Sequence, residues 1–195
     1  MTAPLPALPK LVVVGCSMGG LSAMYVILGQ LAADFPLPII VVQHRGTDVE
    51  SQLAAHLQRR CPLPVSEAED KEQIQSGHVY LAPPDYHLLV DSGTLALSTE
   101  ARVLFARPSI DVLFESAADS YREGVLGVVL TGASADGARG ATRIRARGGR
   151  VLAQDPATAE SPVMPRAVIA AGAADHVLPL DQIGAFLNAV TVGYR

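Results

Sequence analysis

A chain of 195 residues with 49% hydrophobic and 17% charged residues has the length of one domain and a globular, not a disordered, composition. Its net charge of −4 and its lack of tryptophan argue against general attraction to nucleic acid and against a base-stacking surface. Two cysteines, Cys16 and Cys61, make neither a disulfide framework nor a metal-ligand cluster, and the longest apolar runs (LVVVG at 11–15, IIVV at 39–42) are too short to span a bilayer. The Pro- and Ala-rich start, MTAPLPALPK, has no charged beginning followed by a long apolar stretch, so no signal peptide is expected. Residues 1–10 read as an N-terminal tail and 11–195 as a single domain of a cytoplasmic protein with no membrane insertion.

From Leu11 onward, strand-like and helix-like stretches alternate. LVVVG (11–15) is a β-branched run closed by glycine and reads as a buried strand. Leu21, Met24, Ile27, Leu28 and Leu31 have helical spacing and predict a helix over 18–32. PIIVVQ (38–43) is the next buried strand, and a helix is expected over 49–60 with Asp48 as its N-cap. PVSEA and HVYLA follow as less regular stretches, and HLLV-DSG-TLAL reads as a β-hairpin. Ser109 is placed to cap a helix running to about Tyr121, followed by a strand at 124–132, a helix at 137–147 and a strand at 151–154. A short helix near 165–171, a strand near 176–178 and a helix at 180–190 complete the chain. This alternation predicts an α/β fold: a doubly wound, mainly parallel sheet with helices on both faces and a β-hairpin insertion.

Ligand sites in such sheets lie beyond the carboxyl ends of the strands. Just past the three longest buried strands stand Gly15-Cys16-Ser17-Met18-Gly19-Gly20, Gln43-His44-Arg45 and Thr131-Gly132-Ala133-Ser134-Ala135-Asp136-Gly137. Ser17, His44 and Asp136 thus fall on one edge of one sheet, and these are the groups of a Ser-His-Asp hydrolase, in which geometry and not chain order matters. Ser17 lies in a glycine-flanked strand-to-helix turn, where backbone N–H groups at the helix's positive end can stabilise an oxyanion. Each residue also has a plainer reading. Ser17 is placed to be an N-cap, His44 a satisfied polar residue, and Asp136 the cap of the helix it precedes. The stretch G-x-S-x-G-G half resembles a dinucleotide-binding loop, but Gln43 and His44 stand where that motif expects an acidic residue.

At these residues the sequence resembles the catalytic domain of the chemotaxis protein-glutamate methylesterases, the CheB family. The resemblance runs from about residue 11 to 190. It includes GCSMGG around Ser17, VVQHR around His44 and VLTGASADGARG around Asp136, with PVSEAED, GHVYLAPPDYHLLV, RPSIDVLFESAA, GGRVLAQDPATAESPVMPRAVI and ADHVLPLDQI between and beyond. It implies a Ser17–His44–Asp136 triad in a serine hydrolase that demethylates glutamyl methyl esters, and deamidates glutamines, on chemoreceptor cytoplasmic helices without a metal or organic cofactor. It also implies an oxyanion and substrate cleft around Met18, Gly19, Gly20 and Ala133. Two positions depart from the family: Met18 stands where threonine is usual, and Ala133 replaces a methionine, leaving its backbone N–H as a donor. The family commonly carries an N-terminal receiver domain. The tail of residues 1–10 predicts none here, activity without a phosphoryl donor, and any control by a separate receiver protein or by substrate supply. A catalytically silent binding module of a signalling array and a nucleotide-binding domain are the alternatives.

The remaining polar features read as structural. His56, His78, His87 and His176 lack metal-ligand spacing. Arg139, Arg143, Arg145, Arg147 and Arg150 read as a solvated face that an acidic receptor helix could also meet. Cys16 could rival Ser17 as a nucleophile, but adjacent side chains at a strand end point apart, which sends it into the core.

Overall fold

The computed structural model describes residues 8–45 and 52–194. Most of the N-terminal tail, the expected Asp48 cap and the start of the helix expected at 49–60 lie outside these. Nine strands occur among the described residues: β1 (Leu11–Cys16), β2 (Ile39–Gln43), β3 (Val65–Glu67), β4 (Val79–Leu81), β5 (His87–Asp91), β6 (Thr94–Ser98), β7 (Val125–Val129), β8 (Arg150–Gln154) and β9 (His176–Leu178). Six α-helices accompany them: α1 (Gly20–Gly29), α2 (Leu53–Gln58), α3 (Ile110–Tyr121), α4 (Ala138–Ala146), α5 (Val163–Ala170) and α6 (Leu180–Val190).

Seven strands form one sheet in the order β3-β4-β2-β1-β7-β8-β9, every neighbouring pair parallel. The expected doubly wound α/β fold is the one observed. Period-2 alternation divides the strand side chains between two cores. Val12, Val14, Cys16, Ile39, Val41, Leu126 and Val128 pack with α1, α2 and α6, while Leu11, Val13, Ile40, Val42, Val125 and Val129 pack with α3, α4 and α5. Both faces are covered, which is why these strands read as continuous apolar runs.

Gly15 is the exception on β1. A Cβ there would lie 2.3 Å from Cγ2 of Ile110, the first residue of α3. The strand forgoes about 1.5–3 kcal/mol of side-chain burial at this point, and α3 gains a close seat on the sheet. The chain order reverses between β1 and β7, and the crevice at such a reversal is where α/β sheets bind ligands.

The hairpin β5–β6 stands apart from the main sheet, with Asp91 opposite Thr94. The turn expected to be Asp-Ser-Gly is only Ser92-Gly93, with φ of 48° and 93°. Both values are positive, as a two-residue hairpin turn with the right twist requires. The first helix is also shorter than expected, because Gly20 N–H donates to the Ser17 carbonyl (2.8 Å) and keeps Met18 and Gly19 in a turn.

Candidate active site

Parallel pairing sets Cys16 opposite Gln43, and beyond that pair His44 N–H donates to the Cys16 carbonyl (3.0 Å). Ser17 and His44 are therefore the next residues on adjacent strand ends, with backbones about 4.8 Å apart. Ser17 N–H donates to the Thr131 carbonyl (3.0 Å), which ties β1 to the loop after β7. Alternation sends Cys16 and Gln43 to the α1 side of the sheet and carries Ser17 and His44 to the α3 side.

Asp136 meets them there. It is fully buried, and His44 Nε2 lies 2.8 Å from its Oδ2. Oδ2 also accepts from Ile110 N–H (2.8 Å), and Oδ1 accepts from Asp111 N–H and the Ser109 hydroxyl (both 2.9 Å). Burial alone would raise this carboxyl, but the bonds from His44, Asp111 and Ile110 outweigh it and hold Asp136 below its ordinary value of 3.8. A carboxylate in this position fixes Nε2 as the proton-bearing nitrogen of a neutral His44 and leaves Nδ1 as the basic one. Ser17 Oγ has no hydrogen bond among the described residues.

The structure corrects two capping expectations. Ser109 occupies the N-cap of α3, but its hydroxyl accepts from no helix N–H and instead donates to Asp136. Asp136 caps α3, not the helix α4 that it precedes. Asp111 caps α4, accepting from Gly137 N–H (2.9 Å) and Gly140 N–H (2.8 Å). Burial, with Asp136 nearby, raises Asp111, partly offset by the bond from Gly140 N–H and by Arg139.

Two further residues escaped the sequence reading of the site. Gln43 Nε2 donates to both the Ser17 and the His44 carbonyls (2.9 Å each), and its Oε1 accepts from Cys16 Sγ (3.0 Å). Thr131 Oγ1 donates to the Met18 carbonyl (2.9 Å) and accepts from Ser161 N–H (2.8 Å). Gln43 carries a signal in the sequence, since a polar residue closes an otherwise apolar run. Thr131 carries none beyond its neighbours.

Of the expected cleft residues, Met18 is largely exposed, and Gly19 is the N-cap of α1 with φ 77°. Gly20 lies behind the Ser17 turn. It is buried, its N–H closes the turn on Ser17, and a Cβ there would lie 2.1 Å from Gln43 Oε1. Met18 and Ala133 N–H have no hydrogen-bond acceptor among the described residues. Beside His44 opens a cleft of about 340 Å³, lined also by Arg45, Arg107, Pro108 and Ser134.

The other features follow their structural readings. Burial pushes the Cys16 thiol up to about 12, so it is unreactive at neutral pH. His87 accepts from Ser109 N–H at Nδ1 and bonds the Ala101 carbonyl through Nε2, while His78 bonds Ser66 Oγ and stacks on Tyr80. His176 packs on Phe186. Arg139, Arg143 and Arg147 pair with Glu115 or Asp119 on α3, and Arg145 pairs with Asp175. No cluster of metal-ligating side chains occurs among the described residues, nor any helix long and apolar enough to cross a membrane.

Comparison with known proteins identifies the family. The family model for CheB methylesterase matches residues 12–187. A relative from Leptospira interrogans is 47% identical over 173 residues, which cover 88% of this chain and 90% of the relative. The protein-glutamate methylesterase/protein-glutamine glutaminase of Trichodesmium erythraeum is 42% identical over 181 residues, covering 89% of this chain and 51% of its own length. The crystal structure of the Thermotoga maritima CheB methylesterase catalytic domain superposes with a TM-score of 0.89 at 37% identity, covering 94% of this chain and all of that one. The chain belongs to the CheB methylesterase family.

Proposed function

We propose that this CheB-family chain is a cytoplasmic serine hydrolase that demethylates glutamyl γ-methyl esters, and deamidates glutamines, on the cytoplasmic helices of chemoreceptors. The observation that carries the reading is the His44–Asp136 pair, 2.8 Å long and buried on the aspartate side, beside Ser17 on the neighbouring strand end. In this mechanism Ser17 Oγ attacks the ester carbonyl and His44 Nδ1 takes its proton. Asp136 holds the other nitrogen and stabilises the imidazolium. The N–H groups of Met18 and Ala133 are suited to receive the oxyanion. Collapse of the tetrahedral intermediate expels methoxide, which takes the proton from His44 and leaves as methanol. Water, deprotonated by His44, then cleaves the acyl-enzyme to free the glutamate. For a glutamine the leaving group is ammonia. The Ser17–His44 hydrogen bond needs to form only with substrate in place, as is common where unliganded sites are loose.

The test is methanol release from a methylated receptor fragment together with labelling by a fluorophosphonate probe. Wild type is expected to release methanol and to label, and Ser17→Ala to do neither while remaining folded. A folded wild type that neither labels nor turns over would identify a silent binding module instead.

A further inference from the structure

On the rim of the His44 cleft the chain makes a second tight turn. Val103 and Ala106 exchange backbone hydrogen bonds of 3.0 and 2.8 Å, so Leu104 and Phe105 are the two corner residues. Their φ values are 46° and 66°. Such corners favour Asn and Gly, and a bulky side chain there is a backbone outlier that costs stability. Neither side chain offsets the cost by burial: Leu104 is 56% exposed and Phe105 95% exposed. Strain held to display two apolar groups on a surface points to contact with another molecule.

The surroundings say what kind. Both side chains line the same cleft as His44, together with Arg45, Arg102 and Arg107. Arg45 is paired with Glu67 (2.6 Å), while Arg102 and Arg107 share the one carboxylate of Asp85, which leaves that rim net positive. The legs of the turn are stapled, since Arg102 and Arg107 both bond Asp85 Oδ1 and Arg107 also bonds the carbonyls of Thr99 and Glu100. Two residues past Arg107, the same segment supplies Ser109 to Asp136. The turn is thus a rigid apolar knob, continuous with the catalytic edge and set among cations. Rigidity lowers the entropy lost on docking.

We propose that Leu104 and Phe105 are a specificity-determining docking point for the substrate polypeptide. They engage apolar side chains about one helical turn from the glutamyl ester on an amphipathic helix, whose acidic face meets the arginines. This rests on the esterase reading above and deepens it.

The experiment uses three probes: N-acetyl-glutamate γ-methyl ester amide, an amphipathic helical peptide with one glutamyl γ-methyl ester flanked by leucines one turn away, and the same peptide with glutamines for those leucines. The variant is Leu104→Asn with Phe105→Gly, residues that suit the turn and so keep it folded. Wild type is expected to prefer the leucine peptide about tenfold in kcat/KM, and the variant to lose that preference. Fluorescence anisotropy of the labelled leucine peptide should show a matching loss of affinity. An unchanged preference and affinity in the variant would overturn the docking point. Failure of wild type to hydrolyse all three probes would instead sink the esterase reading, with anisotropy still deciding the docking point by whether the variant binds the peptide as well as wild type.

Discussion

Asp111 and Asp136 cap each other's helices. Asp136, in the loop before α4, accepts the first backbone N–H groups of α3, those of Ile110 and Asp111, while the Asp111 side chain accepts Gly137 and Gly140 N–H at the start of α4. The exchange locks α3 to α4 across β7. It also fills three of the roughly four lone-pair positions of Asp136 with fixed donors, one of them the Ser109 hydroxyl, and leaves one aimed at His44. The direction of the His44 ring is therefore set by two helix starts, not by one flexible side chain.

Asp136→Asn tests this directly. An amide offers one acceptor oxygen and two donors, so it opposes at least two of the four groups now bonded to the carboxylate. It also favours the wrong tautomer of His44. A loss on the order of 10⁴ in kcat is expected, with about 1–3 kcal/mol of destabilisation for each buried donor left unsatisfied. Methanol release and thermal unfolding measure the two effects. A rate close to wild type, with only the stability lost, would make Asp136 a helix cap and nothing more.

The two aspartates should also give opposite pH signatures. Asp136 is depressed in the folded state, so its contribution to stability is complete above its ordinary value of 3.8 and is lost as pH falls below that toward the folded value. Asp111 is raised, so its ionised form opposes folding at neutral pH, and protonation relieves that as pH falls through its folded value. In urea unfolding followed from about pH 7 down to pH 3, Asp136→Asn should flatten the acid-side loss seen in wild type. Asp111→Asn should steepen it. Parallel curves for all three proteins would contradict the assignment.

Gln43 should behave as a positioning residue. Its amide bridges the carbonyls of Ser17 and His44, so Gln43→Leu keeps the volume and removes both ties. Misplacement by about 1 Å can cost about 10²-fold, so kcat is expected to fall 10- to 100-fold with KM nearly unchanged. A rise in KM at constant kcat would place Gln43 in substrate binding instead.

Much of this was legible in the sequence because the fold is written in buried strands. LVVVG, PIIVVQ and GVLGVVLTG are continuous apolar runs, and a parallel sheet puts whatever follows each run on one edge. Ser17, His44 and Asp136 could be placed there without coordinates. The capping partners could not, because the distance from Asp136 to α3 depends on how α3 seats against β1. Nothing local in Ser109 or Asp111 distinguishes self-capping from receiving another residue's cap. The Leu104-Phe105 turn was invisible because its residues are those a turn of that type disfavours.

The close approach of β1 to α3 gives the last prediction. At Gly15 a Cβ would lie 2.3 Å from Ile110 Cγ2 and 3.0 Å from its Cδ1, well inside contact distance. Ile110 is fully buried and cannot swing into solvent, so Gly15→Ala must push the first turn of α3 away from β1. That turn carries the Ile110 N–H bonded to Asp136 Oδ2, the same oxygen that holds His44. Overpacking of this kind costs about 1–3 kcal/mol, and the displaced carboxylate should lower kcat beyond what lost folded protein explains. The cause can be isolated by a second change. Ile110→Ala removes the atoms the new methyl meets, so the double variant Gly15→Ala, Ile110→Ala should recover kcat toward that of Ile110→Ala alone. A double-mutant cycle on kcat reads the coupling between the two positions. Additive losses would mean that Gly15 is needed for its own backbone and not for the seat it gives α3.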